Sequence, residues 1–177
     1  MRKKSKTIAL IGGAGFVGHN LAIALKNRGH LPIIIDSLAV NNILSFTDVQ
    51  KKDRKLYWSI LNQRMDMLHD NGIEINVEDA RNYNAMSNII SHFNPDTIIH
   101  LAAVSHANKS NKDPHNTFDH SLRTLENTLD IAKNIDSHVI YFSSSMVYGN
   151  FNSTEVHEDT ICNPIGIYGT LKYMLAN

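Results

Sequence analysis

"TIALIGGAGFVG", residues 7–18, decides the architecture. Its first half, "TIALIG" (7–12), is a short apolar run that suits a strand buried on both faces. Glycines then recur at Gly12, Gly15 and Gly18, and a helical pattern runs from about Val17 to Asn27. A glycine triplet alone is weak evidence. Between a strand and a helix it is the context in which backbone can wrap a phosphate. Gly12 permits a tight turn, Gly15 lets a pyrophosphate approach, and Gly18 lets the helix pack closely on the strand. The helix start adds unpaired N–H groups and the positive end of its dipole.

The same alternation continues outward. "LPIIID" (31–36), "IEINV" (73–77), "DTIIHLAA" (96–103) and "HVIYFSSS" (138–145) read as four further strands. Helical patterns lie between them, over about Ala85–Phe93 and about Pro114–Asn134. The second carries Phe118, Leu122, Leu125 and Leu129 at three- and four-residue spacing. A last helix starts near Ile167. Near-continuous apolar strands with helices between them predict an α/β doubly wound parallel sheet, a Rossmann fold with strand order 3-2-1-4-5. One segment exceeds a simple crossover: 36 residues separate Asp36 from Ile73. Within it, "LYWSILNQRMDMLHDNG" (56–72) predicts an amphipathic helix ending at Gly72, after a polar loop over 37–55.

The 177 residues suit one domain spanning 1–177. Seventeen basic and 17 acidic side chains cancel, so no net positive field argues for nucleic acid or an anionic membrane. The basic start "MRKKSK" precedes an apolar run too short and glycine-broken for a signal peptide, and no stretch approaches a membrane span. The single cysteine, Cys162, cannot form an internal disulfide, which suits a reducing cytoplasm. No pair among the ten histidines has a convincing zinc-ligand context, so His100, His106 and the rest read as structural or surface residues and no metal is expected.

Asp36 closes the second strand, 18 residues after Gly18. A carboxylate there can accept from both hydroxyls of an adenosine ribose and would repel a 2′-phosphate. Ser37 and Leu38 follow, with no arginine beside them, which favours NAD over NADP. The bland reading is a cap on a strand end. In "EDARN" (78–82), Asp79 is placed to accept from an adenine amino group with help from the Ala80 backbone, and is almost as readily a solvated turn acid.

"IYGTLKYMLAN" (167–177) sets Tyr168 and Lys172 four apart, on one helix face and roughly 6 Å from each other. A nearby ammonium lowers a phenol pKa that starts near about 10, so the tyrosine can take a proton from a sugar hydroxyl. The pair is common by chance. "SSSMVYG" (143–149) raises its weight, because its serines end the fifth strand, where ligands of doubly wound sheets collect. Ser144 is the expected substrate-facing hydroxyl; a turn cap is the alternative.

Taken together, "GGAGFVG", Asp36, "HLAAVSHANKSNKDP" (100–114), "SSSMVYG" and "NPIGIYGTLK" (163–172) resemble the extended short-chain dehydrogenase/reductase family. Within it the chain looks like the NAD-dependent nucleotide-sugar epimerases and dehydratases, over nearly its whole length. The resemblance implies Ser144, Tyr168 and Lys172 as the catalytic serine, tyrosine and lysine. It implies cofactor contacts at Gly12, Gly15, Phe16, Val17, Gly18, Asp36, Asp79, Ala80, Leu101, Ala102, Ala103, Tyr168 and Lys172. NAD is the implied cofactor and a nucleotide-sugar, preferably a UDP-sugar, the implied substrate.

Departures narrow the expectation. Sugar dehydratases of this family carry Asp-Glu directly after the catalytic serine or threonine; here Ser145 and Met146 stand there, and methionine cannot move a proton. The chain therefore looks more like a 4-epimerase working through a transient 4-keto sugar, with a dehydratase or other sugar oxidoreductase as alternative. Ser121 stands where the family has an asparagine that orders the site. Family members run on into a C-terminal substrate domain that these 177 residues lack. That leaves a reading of another class open, a non-catalytic NAD-binding module. The resemblance also implies a homodimer through helices over about 114–134 and from 167.

Overall fold

The computed structural model describes residues 4–40, 42–44, 53–103, 107–151 and 154–176. Five strands form one parallel sheet: β1 (Thr7–Ile11), β2 (Leu31–Asp36), β3 (Ile75–Val77), β4 (Thr97–His100) and β5 (His138–Tyr141). Their order is β3-β2-β1-β4-β5, as expected. In register, Ala9 lies opposite Ile33 of β2 and Ile98 of β4. The pairings bring the carboxyl ends of all five strands to one edge.

Alternate residues of β1 feed two cores, as the two-residue period of a strand requires. Ala9 and Ile11 pack with Met86, Ile90, Ile131 and Ala132 beneath α3 (Tyr83–Phe93) and α6 (Thr124–Asn134). Ile8 and Leu10 pack on the other face with Ala22 of α1 (Phe16–Asn27) and Leu68 of α2 (Arg54–Asp70). The sheet is therefore covered on both faces. Asn82 caps α3 by accepting from the Ala85 N–H, and Asn94 ends it in the left-handed region.

The helix expected over 56–72 exists, two residues earlier, as α2. Its buried side is Leu61, Arg64 and Leu68. Much of the expected 37–55 loop (residues 41 and 45–52) lies outside the described residues. Asn42, within it, is fully buried.

The long helix over 114–134 is built from α5 (Pro114–Phe118), a π-helical segment (Asp119–Arg123) and α6, after a short α4 (Ala107–Lys112). Its apolar stripe does not face the core as a whole. Leu125 is buried, but Phe118, Leu122 and Leu129 are exposed. The face turned inward is Thr117, Ser121, Thr124 and Thr128 with Leu125 and Ile131. These threonines can be buried because each hydroxyl donates to a carbonyl four residues back: Thr117 to Asp113, Thr124 to His120, Thr128 to Thr124. β5 is followed by a 3-10 turn (Ser145–Tyr148) and, later, by α7 (Gly166–Met174), which packs on that turn and on α4.

Candidate active site

A cleft of about 310 Å³ opens at the carboxyl edge of the sheet. All of Gly12, Gly15, Phe16, Val17, Gly18, Asp36, Asp79, Ala80, Leu101, Ala102 and Ala103 line it. The glycine turn earns its composition from contact distances. Gly12 has φ +78°, and a Cβ there would stand 2.8 Å from the Ala102 nitrogen. A Cβ on Gly18 would strike the carbonyl of Gly13. Gly18 therefore seats α1 on the turn itself, a refinement of the expected packing on the strand. Gly15 ends the turn as the N-cap of α1, with no side chain over the first N–H groups. A Cβ on Gly15 would meet only the Gly12 carbonyl, at 3.3 Å, so this glycine differs from the other two in standing clear of the rest of the fold.

Asp36 fixes this turn from β2. Its Oδ2 accepts from the Ala14 N–H (3.0 Å) and its Oδ1 from the Leu38 N–H (2.8 Å). Burial pushes the carboxyl above its ordinary pKa, opposed by those two N–H groups and by the charge of Arg64. Each oxygen keeps room to accept from a ribose hydroxyl. No arginine stands directly after Asp36 in sequence, yet the charge of one acts on it in space. Arg64 of α2 is 8% exposed, lines the cleft and donates from Nη1 to the Ala14 carbonyl (3.2 Å). Asn42 donates to the same oxygen (3.1 Å). Sequence reasoning missed both: Arg64 reads as one polar position of an amphipathic helix, and Asn42 as loop.

Asp79 lines the cleft but shares its carboxylate with Arg81 (2.6 Å), which also binds Asp119 (2.7 Å). The Arg81 guanidinium holds the Asp79 carboxyl below the ordinary range. The Ala80 carbonyl accepts from Asn127 (2.9 Å).

The other expected residues gather beyond β5. Ser144 caps the 3-10 turn, its Oγ accepting from the Met146 N–H (3.3 Å). Lys172 is buried, donates from Nζ to the Phe142 carbonyl (2.7 Å) and sits 4.5 Å from the centroid of the Tyr141 ring. Burial lowers its pKa to about 8. Tyr141 is pushed up to about 12, by burial first and by Tyr168 second. Ser143 Oγ donates to the Lys172 carbonyl, tying α7 to the strand end. Among the described residues no hydrogen bond joins Ser144, Tyr168 and Lys172 to one another.

His100 lies beneath both regions, fully buried against Tyr141, with Thr128 Oγ1 3.2 Å from Nδ1. Burial, then the Lys172 charge, lowers its pKa to about 3, so it is a neutral core residue. His106 lies outside the described residues. Ser121 is buried, and its Oγ has no hydrogen-bond partner among the described residues. Among the described residues no cluster suits a metal, and no helix is long and apolar enough to cross a membrane.

Known proteins are similar to this chain in sequence, and solved structures in fold. A UDP-glucose 4-epimerase of Dictyostelium discoideum is 25% identical over 169 residues, 93% of this chain and 44% of its own length. A bifunctional UDP-glucose 4-epimerase and UDP-xylose 4-epimerase of Pisum sativum is 27% identical over 176 residues, 99% of this chain and 47% of its own. The chain thus spans about half the length of the curated relatives it matches. The crystal structure of a UDP-glucose-4-epimerase from Stenotrophomonas maltophila, with bound NAD and formylated UDP-arabinopyranose, shares the fold. Its TM-score is 0.78 at 22% identity, covering 97% of this chain and 46% of that one. The UDP-Glc/GlcNAc 4-epimerase of Campylobacter jejuni superposes with a TM-score of 0.79 at 18% identity, over 97% of this chain and 47% of that one. The model of the NAD dependent epimerase/dehydratase family matches residues 8–177, and the chain belongs to that family.

Proposed function

We propose that this chain is the cofactor-binding and proton-transferring part of an NAD-dependent nucleotide-sugar 4-epimerase, with a UDP-sugar as substrate. The observation that carries the reading is the shared cleft of the glycine turn and Asp36, with eleven of the thirteen expected cofactor contacts on its walls; Tyr168 and Lys172 are not among the lining residues. The turn and the start of α1 would hold the pyrophosphate, and Asp36 the adenosine ribose. When bound, NAD supplies a reversible hydride acceptor. In this chain Tyr168 takes the proton of the sugar 4-hydroxyl and later returns it. Ser144 orients the reacting oxygen. Lys172, protonated below about pH 8, supplies a positive field beyond β5, against the Tyr141 ring. Met146 offers no acid for dehydration.

The exposed Phe118, Leu122 and Leu129 support a homodimer through the 114–134 helix, and the lone Cys162 suits a cytoplasmic setting.

A second reading, an NAD-binding module without turnover, is favoured by one observation: Ser144, Lys172 and Tyr168 share no hydrogen bond. Two measurements separate the readings. Calorimetric titration of NAD⁺ and NADP⁺ into the 177-residue chain should show preference for NAD⁺. Asp36→Ala should weaken NAD⁺ about ten-fold or more, the value of a hydrogen bond to a charged group. Binding of neither nucleotide sinks both readings. Interconversion of UDP-sugar 4-epimers by the chain, lost in Tyr168→Phe, supports the enzyme; NAD⁺ binding with no interconversion supports the module.

A further inference from the structure

The insertion between β2 and β3 carries a cation into the cofactor cleft. Arg64 has five N–H donors, and among the described residues it makes one hydrogen bond, to the Ala14 carbonyl. It is nevertheless almost fully buried and lines the cleft. The charges of Tyr57 and Asp36 act on it, but with one hydrogen bond its N–H groups are under-satisfied. Asp36 faces the same space and feels its charge, yet no ion pair joins them among the described residues. A fixed donor and a fixed acceptor thus flank one gap. A hydroxyl can bridge it, because it donates to a carboxylate and accepts from a guanidinium at once.

We propose that Arg64 and Asp36 form a donor–acceptor pair that reads the 2′-hydroxyl of the adenosine ribose. This rests on the NAD-binding reading above and assigns to the insertion a part in cofactor choice. Arg64 also steadies the turn through Ala14, but Asn42 holds the same carbonyl, so the turn keeps one donor when Arg64 is replaced.

The test separates reading the ribose from steadying the turn. NAD⁺ and its analogue lacking the adenosine 2′-hydroxyl are titrated into the wild-type chain and Arg64→Met. Wild type should bind the analogue about 100-fold more weakly, a factor of about ten for each charged partner, and Arg64→Met about ten-fold, through Asp36 alone. A merely structural arginine weakens both ligands alike and leaves the ratio unchanged; that result, or equal binding of both by wild type, overturns the proposal. Wild type that binds neither ligand overturns the NAD reading and this one with it. Should Arg64→Met not melt cooperatively, Asp36→Asn replaces it. There the uncompensated guanidinium should favour a 2′-phosphate, and NADP⁺ should gain about ten-fold over wild type. No gain overturns the proposal.

Discussion

The glycine turn after β1 and the serine turn after β5 lie at the same edge of one sheet, and they are held differently. Around Ala14 both peptide groups are engaged: the N–H by Asp36, the carbonyl by Arg64 and Asn42. The strands beneath, β1 and β2, are buried almost throughout. At the other turn Ser144 binds its own backbone, Lys172 a strand carbonyl, and β5 is half exposed along its length. The first region is fixed by steric fit and hydrogen bonds. The second holds an ammonium that burial has made uncomfortable. Substitution should therefore test the first, and pH the second.

The largest effect is expected at Gly18. Gly18→Val drives a side chain into the Gly13 backbone and should cost about 3 kcal/mol or more of stability, read by thermal melting with NAD⁺ titration alongside. A loss below about 1 kcal/mol would mean that the turn yields, and the contrast between the regions would fail.

Lys172 comes next. Its folded pKa, about 8, lies below the ordinary 10.5, so between those values the unfolded chain binds more protons. Stability should then rise with pH, by up to about 1.4 kcal/mol per pH unit. Tyr141 works the opposite way above its ordinary pKa of 10, being raised to about 12 in the fold. The clean window is thus pH 8–10. Denaturant melts across it should show the rise in wild type and its absence in Lys172→Met. A rise of equal size in the variant would assign it elsewhere.

The smallest effect belongs to Ser144. Its hydroxyl accepts one long hydrogen bond, so Ser144→Ala should move stability by less than about 0.5 kcal/mol. On the proposed function the same change slows epimerisation. A large stability loss would make Ser144 a structural cap instead.

What could be read from sequence follows the same division. Buried parallel strands announce themselves as apolar runs, and a glycine turn between strand and helix is a local pattern. Asp36 is legible because it ends a strand at a fixed distance from that turn. Arg64 is not, because its partner Ala14 lies 50 residues away and an arginine on an amphipathic helix looks solvated. The 114–134 helix misleads for a different reason. Periodicity counts apolar residues, whereas its buried face is built from threonines whose hydroxyls are satisfied by their own helix. Ser121 is the exception on that face, with no partner for its hydroxyl among the described residues, at the position where the family resemblance marks a departure.

The Ala14 carbonyl has a consequence for how the chain is made. Its two donors are encoded 28 and 50 residues downstream. Synthesis runs from the N-terminus, so the first strand, the glycine turn and α1 leave the ribosome well before Arg64. A nascent chain can present the glycines early, but the Ala14 carbonyl acquires its last donor only after α2 has emerged and docked. The site that reads as the most local feature of the sequence is completed by one of its more distant contacts.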